Sequence, residues 1–145
     1  MRPSINCINF IKKSESLKLK AYLCPKKKPT IGWGSIMYPD GRRVKLGDVI
    51  TAEQAEEFLL WEISKKTLAL SGLNLNQNQV DAIMSLVYNI GYSAFMKSTI
   101  RRKAIANPND PTIRNEFMRW VDKGSAHEKG LTNRRREEAN LYFKI

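Results

Sequence analysis

The chain has 145 residues, 42% of them apolar and 27% charged, with a formal charge of +11. That size and balance describe one soluble globular domain with a proper core and exclude long disorder, and no apolar run approaches the ~18 residues of a membrane span. The charge points to an anionic partner (nucleic acid, a membrane surface or the bacterial cell wall) without choosing among them.

Ser4 is placed to cap a first helix whose apolar face reads as Ile5, Ile8 and Ile11, widened by Phe10, and which stops close to Glu15. "LKLKAYL" follows, with Leu17, Leu19 and Ala21 alternating against Lys18, Lys20 and Tyr22, the period of a half-buried strand. Pro25 ends it, and a lysine-rich turn leads into a second short strand at "PTIGWG". "YPDGRRV" predicts a turn around Asp40 and Gly41, then a third strand.

At Thr51 the period changes. "TAEQAEEFLLWEISKKTLAL" opens on a capping box of Thr51 and Gln54, buries Ala55, Phe58, Leu59 and Ile63, and predicts a helix of some 20 residues, ~30 Å long. Beyond Gly72 the chain reads as helical. "NQVDAIMSLVYNIG" is apolar nearly all round, the pattern of a core helix ended by Gly91. Ser98 caps "TIRRKAIA", Asp110 and Pro111 start "TIRNEFMRWV", and a basic helix at 133–143 closes the chain. The expected fold class is α+β in a single domain: a first helix and small β lobe (1–50), a connecting helix (51–72) and a larger helical lobe (73–145), with a cleft between lobes.

Cys7 and Cys24 fall on different elements, too few for a disulfide framework, and both are expected as reduced thiols. The single histidine, His127, has no cysteine or histidine cluster around it, so no metal site is expected. The opening "MRPSINCINFIKK" lacks an uninterrupted apolar stretch and a small-residue cleavage site, so the reading is of no signal peptide and folding in a cytoplasm.

Glu15 is the only acidic residue among the first 39. A glutamate after the first helix, eight residues, Cys24, five residues, then Thr30 in "PTIGWG" resembles the phage-type lysozymes, the endolysins of glycoside hydrolase family 24 that include the lysozymes of T-even phages. "LNQNQVDAIMSLVYNIG", "AFMKSTIRRK" and "GLTNRRREEANLYF" are similar to that family's later helices in the same order. The resemblance implies a lysozyme-like fold and a muramidase that cleaves the β-1,4 bond between N-acetylmuramic acid and N-acetylglucosamine in peptidoglycan, causing lysis. Carried over by position, Glu15 becomes the general acid and Cys24 and Thr30 the groups facing it, while Arg134, with Tyr88 and Asn89, belongs to the sugar site. A glutamate at a helix end beside a sheet is suited to partial desolvation, which keeps a transferable proton near neutral pH. Cys24 stands where some relatives have aspartate, and a thiol is a weaker acceptor than a carboxylate.

Three residues depart from the family pattern: Ser16 where many relatives have glycine, Trp33 where tyrosine or an aliphatic residue is usual, and Ser35 where many have histidine. If position 16 needs a positive φ, serine there costs roughly 1 kcal/mol. The resemblance also implies no cofactor, a monomer without stable membrane insertion, and synthesis in a host bacterial cytoplasm with action in the periplasm, which requires a holin-type export partner. The alternative reading is a basic helix-turn-helix DNA-binding protein, its turn after Gly91 and its recognition helix carrying Arg101, Arg102 and Lys103. The seven residues after Gly91 are long for that turn, and the reading leaves Glu15 and Cys24 without a purpose.

Overall fold

The structure is a computed structural model describing all residues, 1–145. In chain order it contains α1 (Ile5–Glu15), β1 (Lys18–Leu23), β2 (Pro29–Gly32), α2 (Ala52–Lys66), a short 3-10 helix (Thr67–Leu70), α3 (Gln77–Ile90), α4 (Tyr92–Met96), α5 (Thr99–Ala106), α6 (Ile113–Phe117) and α7 (Glu128–Tyr142). The chain divides into two compact units, one formed by Asn9–Lys65 and the other by Met1–Ile8 with Lys66–Ile145.

In the unit Asn9–Lys65, β1 and β2 form a two-stranded antiparallel sheet in which Tyr22 faces Thr30 and Leu23 faces Pro29. The expected third strand does not form. Met37 and Arg43 make one isolated bridge, and the Asp40–Gly41 turn between them is present. Pro39 and Gly41 favour a turn so tight that little length is left for a ladder. The predicted buried face of β1 is also corrected: Leu17 and Leu19 are exposed, and Ala21 alone is buried. Ala21 joins Ile31, Val44, Ile50, Ala55 and Phe58 in a small core, against which Trp33 and Tyr38 pack. Tyr38 meets Phe58 edge-on, with ring centroids 5.3 Å apart.

Gly32 ends β2 with φ +66°, and a Cβ there would lie 3.5 Å from the Ala55 Cβ, so glycine serves both the turn and the approach to α2. The box at the start of α2 closes as read: Thr51 N–H donates to Gln54 Oε1 at 2.9 Å, and Gln54 N–H to Thr51 Oγ1 at 3.1 Å. Ala55, Phe58, Leu59 and Ile63 are its buried face. The helix is shorter than predicted, however, with 15 residues, because Thr67–Leu70 tightens into 3-10 geometry.

In the other unit, α3 is buried along most of its length from Gln79 to Val87, and α7 packs along it. Asn76 and Gln79 form a second capping box at its start. Ser4 does cap α1, accepting from Asn6 N–H at 3.2 Å, while Asp81 on α3 accepts from the Ser4 N–H at 2.8 Å and from its hydroxyl. The buried face of α1 keeps Ile11 as predicted and gains Cys7, both fully buried, while Ile5 is 65% exposed.

After Gly91 the chain turns at once into α4, in the segment the DNA-binding alternative needed as a turn. Ser98 caps α5, accepting from Arg101 N–H at 3.2 Å. α6 covers only Ile113–Phe117 of the longer helix predicted, and α7 begins at Glu128, before the predicted 133. No helix is long and apolar enough to cross a membrane.

Candidate active site

Glu15 is the last residue of α1 and is half-buried. Ser16 ends the helix with φ 57°, its N–H donating to Lys12 O at 3.1 Å. The left-handed exit anticipated from the glycine of many relatives is therefore real, and serine holds it at a cost of about 1 kcal/mol. One turn earlier, Lys12 pairs with Glu56 and places its ammonium 4.8 Å from the centre of the Trp33 ring.

Cys24 opens the turn between the strands. Lys27 N–H donates to Cys24 O at 2.7 Å, and Cys24 N–H to Lys28 O at 3.0 Å. Lys27 takes φ 59° to close that pair. Burial pushes the thiol up, but hydrogen bonds from Lys28 N–H, the Thr30 hydroxyl and Lys26 N–H together outweigh it and bring the Cys24 pKa below the ordinary thiol value. Thr30 is buried, and its hydroxyl also lies 2.8 Å from Lys28 O, to which it donates. One proton on Oγ1 thus serves either the Lys28 carbonyl or a Cys24 thiolate.

Tyr22 escaped the sequence reading as a site residue. It sits opposite Thr30 in the sheet register, and its phenol is pushed above the usual range by burial, then by the Glu15 carboxylate, then by Cys24. Both Glu15 and Cys24 are thus near enough to act on its charge. The available signal was the spacing itself, since Tyr22 lies two residues before Cys24. All four residues, Glu15, Tyr22, Cys24 and Thr30, belong to the unit Asn9–Lys65.

Arg134, Tyr88 and Asn89 belong to the other unit. Arg134 is not a solvated member of "NRRRE": it is buried, with Nε 3.3 Å from Glu138 Oε2 and a terminal nitrogen donating to Ser85 O at 3.2 Å. Arg135 is buried beside it, Nε 2.7 Å from Glu138 Oε1, and Ser85 donates to Glu138 Oε2 at 2.5 Å. Burial pushes the Glu138 carboxyl up, against the pull of both arginines. Tyr88 is half-buried under the Lys66 ammonium, 5.3 Å from its ring centre, and Asn89 is exposed one helical turn beyond the Ser85 that Arg134 holds. A hollow of about 410 Å³ in this unit, lined in part by Ser98, Glu116, Arg119 and Trp120, contains none of the aligned residues.

The profile of the phage lysozyme family matches residues 12–138. The endolysin of Acyrthosiphon pisum secondary endosymbiont phage 1 is 41% identical over 142 residues, covering 92% of each chain. The endolysin of Salmonella phage P22 is 39% identical over 142 residues, covering 96% of this chain and 97% of its own. In three dimensions, the endolysin from Escherichia coli O157:H7 phage FAHEc1 superimposes with a TM-score of 0.87 at 38% identity, over 99% of this chain and 94% of that one. A family profile spanning most of the sequence, relatives matched nearly end to end and a shared fold agree, and the chain belongs to the phage lysozyme family.

Proposed function

We propose that this phage lysozyme, an endolysin-type glycosidase acting on peptidoglycan, cleaves the β-1,4 bond from N-acetylmuramic acid to N-acetylglucosamine with Glu15 as general acid. Cys24 and Thr30 handle the water. The observation that carries the reading is the Lys28 carbonyl, which accepts from both the Cys24 N–H at 3.0 Å and the Thr30 hydroxyl at 2.8 Å and so holds the two residues together, within a family profile that spans Glu15. As the glycosidic C–O bond breaks, Glu15 gives its proton to the leaving oxygen. Water forms the new bond to the anomeric carbon and loses its proton to the Cys24 thiolate. Thr30 accepts a hydrogen bond from that water while its own proton rests on Lys28 O.

Arg134, Tyr88 and Asn89 are proposed sugar-site residues, with the exposed Asn89 amide suited to an acetamido group and Arg134 set in place by Glu138 and Ser85. The protein acts as a monomer, is made in the host cytoplasm and reaches the periplasmic wall through a holin-type partner. Supporting the enzymatic reading over the DNA-binding alternative is the family profile, which spans both Glu15 and Arg134.

Glu15→Gln keeps shape and hydrogen bonding but removes the transferable proton. Lysis of outer-membrane-permeabilised Gram-negative cells should fall at least roughly a hundredfold with the fold intact. A folded Glu15→Gln protein keeping more than half its activity sinks the assignment.

A further inference from the structure

Several large exposed aliphatic side chains crowd one stretch of the unit Asn9–Lys65, among them Leu23 at 52%, Leu46 at 57% and Val49 at 69% exposure. Backbone contacts place Val49 of this set against β1. β1 is flanked on the side away from β2 by the segment 48–50, where Lys20 pairs with Val49, Leu19 O accepts from Ile50 N–H at 2.9 Å and Asp48 O accepts from Ala21 N–H at 2.9 Å. Ala21 and Ile50 point into the core, so their neighbours Lys20 and Val49 point out. Leu46 projects from the adjoining loop, which Asp48 closes by accepting from Lys45 N–H at 2.9 Å.

The charge on this stretch is one-sided. Residues 17–49 carry eight lysines and arginines against two aspartates. Both aspartates are already committed, Asp40 to Arg42 Nε at 2.7 Å and Asp48 to the Tyr38 hydroxyl at 2.6 Å. Exposed aliphatics interleaved with uncompensated lysines suit a partner that is anionic at its surface and apolar just beneath it. Nucleic acid offers the charge without an aliphatic layer, so it would leave Leu46 and Val49 unburied.

We infer that the β1 face bearing Lys20, Leu46 and Val49 docks on anionic phospholipid membranes, holding the enzyme peripherally at a bilayer with no segment crossing it. Lysines supply the attraction, which decays within a Debye length, and the aliphatic side chains enter the headgroup boundary. This goes beyond hydrolysis and does not depend on it.

The test is sedimentation of the full chain with vesicles of phosphatidylcholine alone and of phosphatidylcholine mixed with phosphatidylglycerol, at ~0.1 M salt. The wild type should pellet with the anionic vesicles and stay in solution with the neutral ones. Leu46→Ser with Val49→Ser should lower partitioning at least about tenfold. Lys18→Gln with Lys20→Gln should lower it as well and flatten its salt dependence. All four positions are exposed, so these variants keep the fold, and Leu46→Ser with Val49→Ser should hydrolyse vesicle-free sacculi at the wild-type rate. A wild type that stays soluble with anionic vesicles overturns the inference, and so does a Leu46/Val49 double variant that binds as the wild type does. Release from the vesicles by duplex DNA at equal phosphate concentration also overturns it, in favour of a polyanion site.

Discussion

Residues 24–28 and 38–42 are two turns of the same make with proline second, and they finish differently. In each, the fourth residue's N–H donates to the first residue's carbonyl and the first residue's N–H to the fifth's carbonyl: Lys27 to Cys24 and Cys24 to Lys28, Gly41 to Tyr38 and Tyr38 to Arg42. The fourth residue must then take a left-handed conformation. Gly41 does so freely at φ 92°, whereas Lys27 does so at φ 59° with a full side chain. The second turn also closes on itself, since Asp40 accepts from both Arg42 N–H and Arg42 Nε. The first has no such side-chain closure, and hydrogen bonding there brings the Cys24 thiol below the ordinary value. One backbone thus makes an inert corner in one place and a donor nest for a nucleophile-sized atom in the other. Ser16, beside Glu15, is a second non-glycine residue held left-handed, so backbone strain sits next to two of the proposed catalytic groups.

The largest effect expected from this difference is on activity at Cys24. Donors that favour a thiolate favour a carboxylate for the same reason, so Cys24→Asp should match or exceed wild-type lysis. Cys24→Ala should reduce lysis about a hundredfold, at the low end of what a general base contributes, with the melting temperature little changed. A fully active Ala variant beside an unfolded Asp variant reduces the turn to a structural corner like the other one and leaves Glu15 and Thr30 as the catalytic pair.

The two cysteines provide a second test. Burial, helped by Asp81 and Glu138, pushes the Cys7 thiol up to about 12, while the turn brings Cys24 below the ordinary value. Alkylation followed against pH should therefore show one cysteine reacting well before the other, and Cys24→Ala should remove the early phase alone. The stability linkage has a definite sign. A depressed thiol pKa stabilises the fold above the ordinary thiol value, and that contribution fades as pH falls through the folded value. The stability gap between wild type and Cys24→Ala should thus widen, in favour of wild type, as pH rises through that window. A gap independent of pH means the donors do not reach the sulfur.

Exchanging the turns' fourth residues gives a smaller effect, on stability alone. Gly41→Lys gives the inert turn the strain of the active one, about 1–2 kcal/mol for a left-handed residue with a Cβ, less the roughly 0.5–1 kcal/mol that glycine costs through its greater freedom, so urea unfolding should show a net loss of about 0.5–1 kcal/mol. Nothing lies within 4 Å of a Cβ built at Gly41, so no clash adds to the conformational cost. Lysis per folded molecule should not change. An unaltered midpoint shows that lysine is tolerated at this position and removes the strain argument from both turns.

How much of this could be read from the sequence depends on the distance over which each feature is set. The Thr51–Gln54 box and the buried face Ala55, Phe58, Leu59 and Ile63 are decided within four residues, and both appear as read. The positive φ at Ser16 was legible too, from the glycine of relatives. Period alone says which residues share a face but not which face is covered. Ile5, Leu17 and Leu19 keep the predicted spacing yet are exposed, because their neighbours leave that side open. The charged string "NRRRE" hides two buried arginines. The spacings Arg134 to Glu138 and Arg135 to Glu138, four and three residues, were the available signal, but burial is decided by how α7 packs on α3. Tyr22 was missed for the same kind of reason, since its place near Glu15 and Cys24 arises only once the hairpin register is set.

The smallest expected effects come from relieving strain at the site. Lys27→Gly and Ser16→Gly each remove a Cβ from a left-handed residue, a gain of about 1 kcal/mol. Glycine also has more freedom to lose on folding, which returns roughly 0.5–1 kcal/mol, so the net stabilisation should be at most a few tenths of a kcal/mol. Activity separates the two positions more sharply. If the strain at Lys27 only closes the turn, Lys27→Gly leaves lysis and Cys24 alkylation unchanged, because the donors to the sulfur are the amides of Lys26 and Lys28 and the Thr30 hydroxyl, none of which belongs to residue 27. If a rigid residue 27 is needed to hold those amides in place, the glycine variant gains or keeps stability while its Cys24 reacts more slowly and its lysis falls. Alkylation rate and melting temperature measured on one preparation distinguish the cases: a stabilised protein with slowed alkylation means that the lysine maintains the donor nest, and a stabilised protein with unchanged alkylation means that glycine would serve there as it does at Gly41.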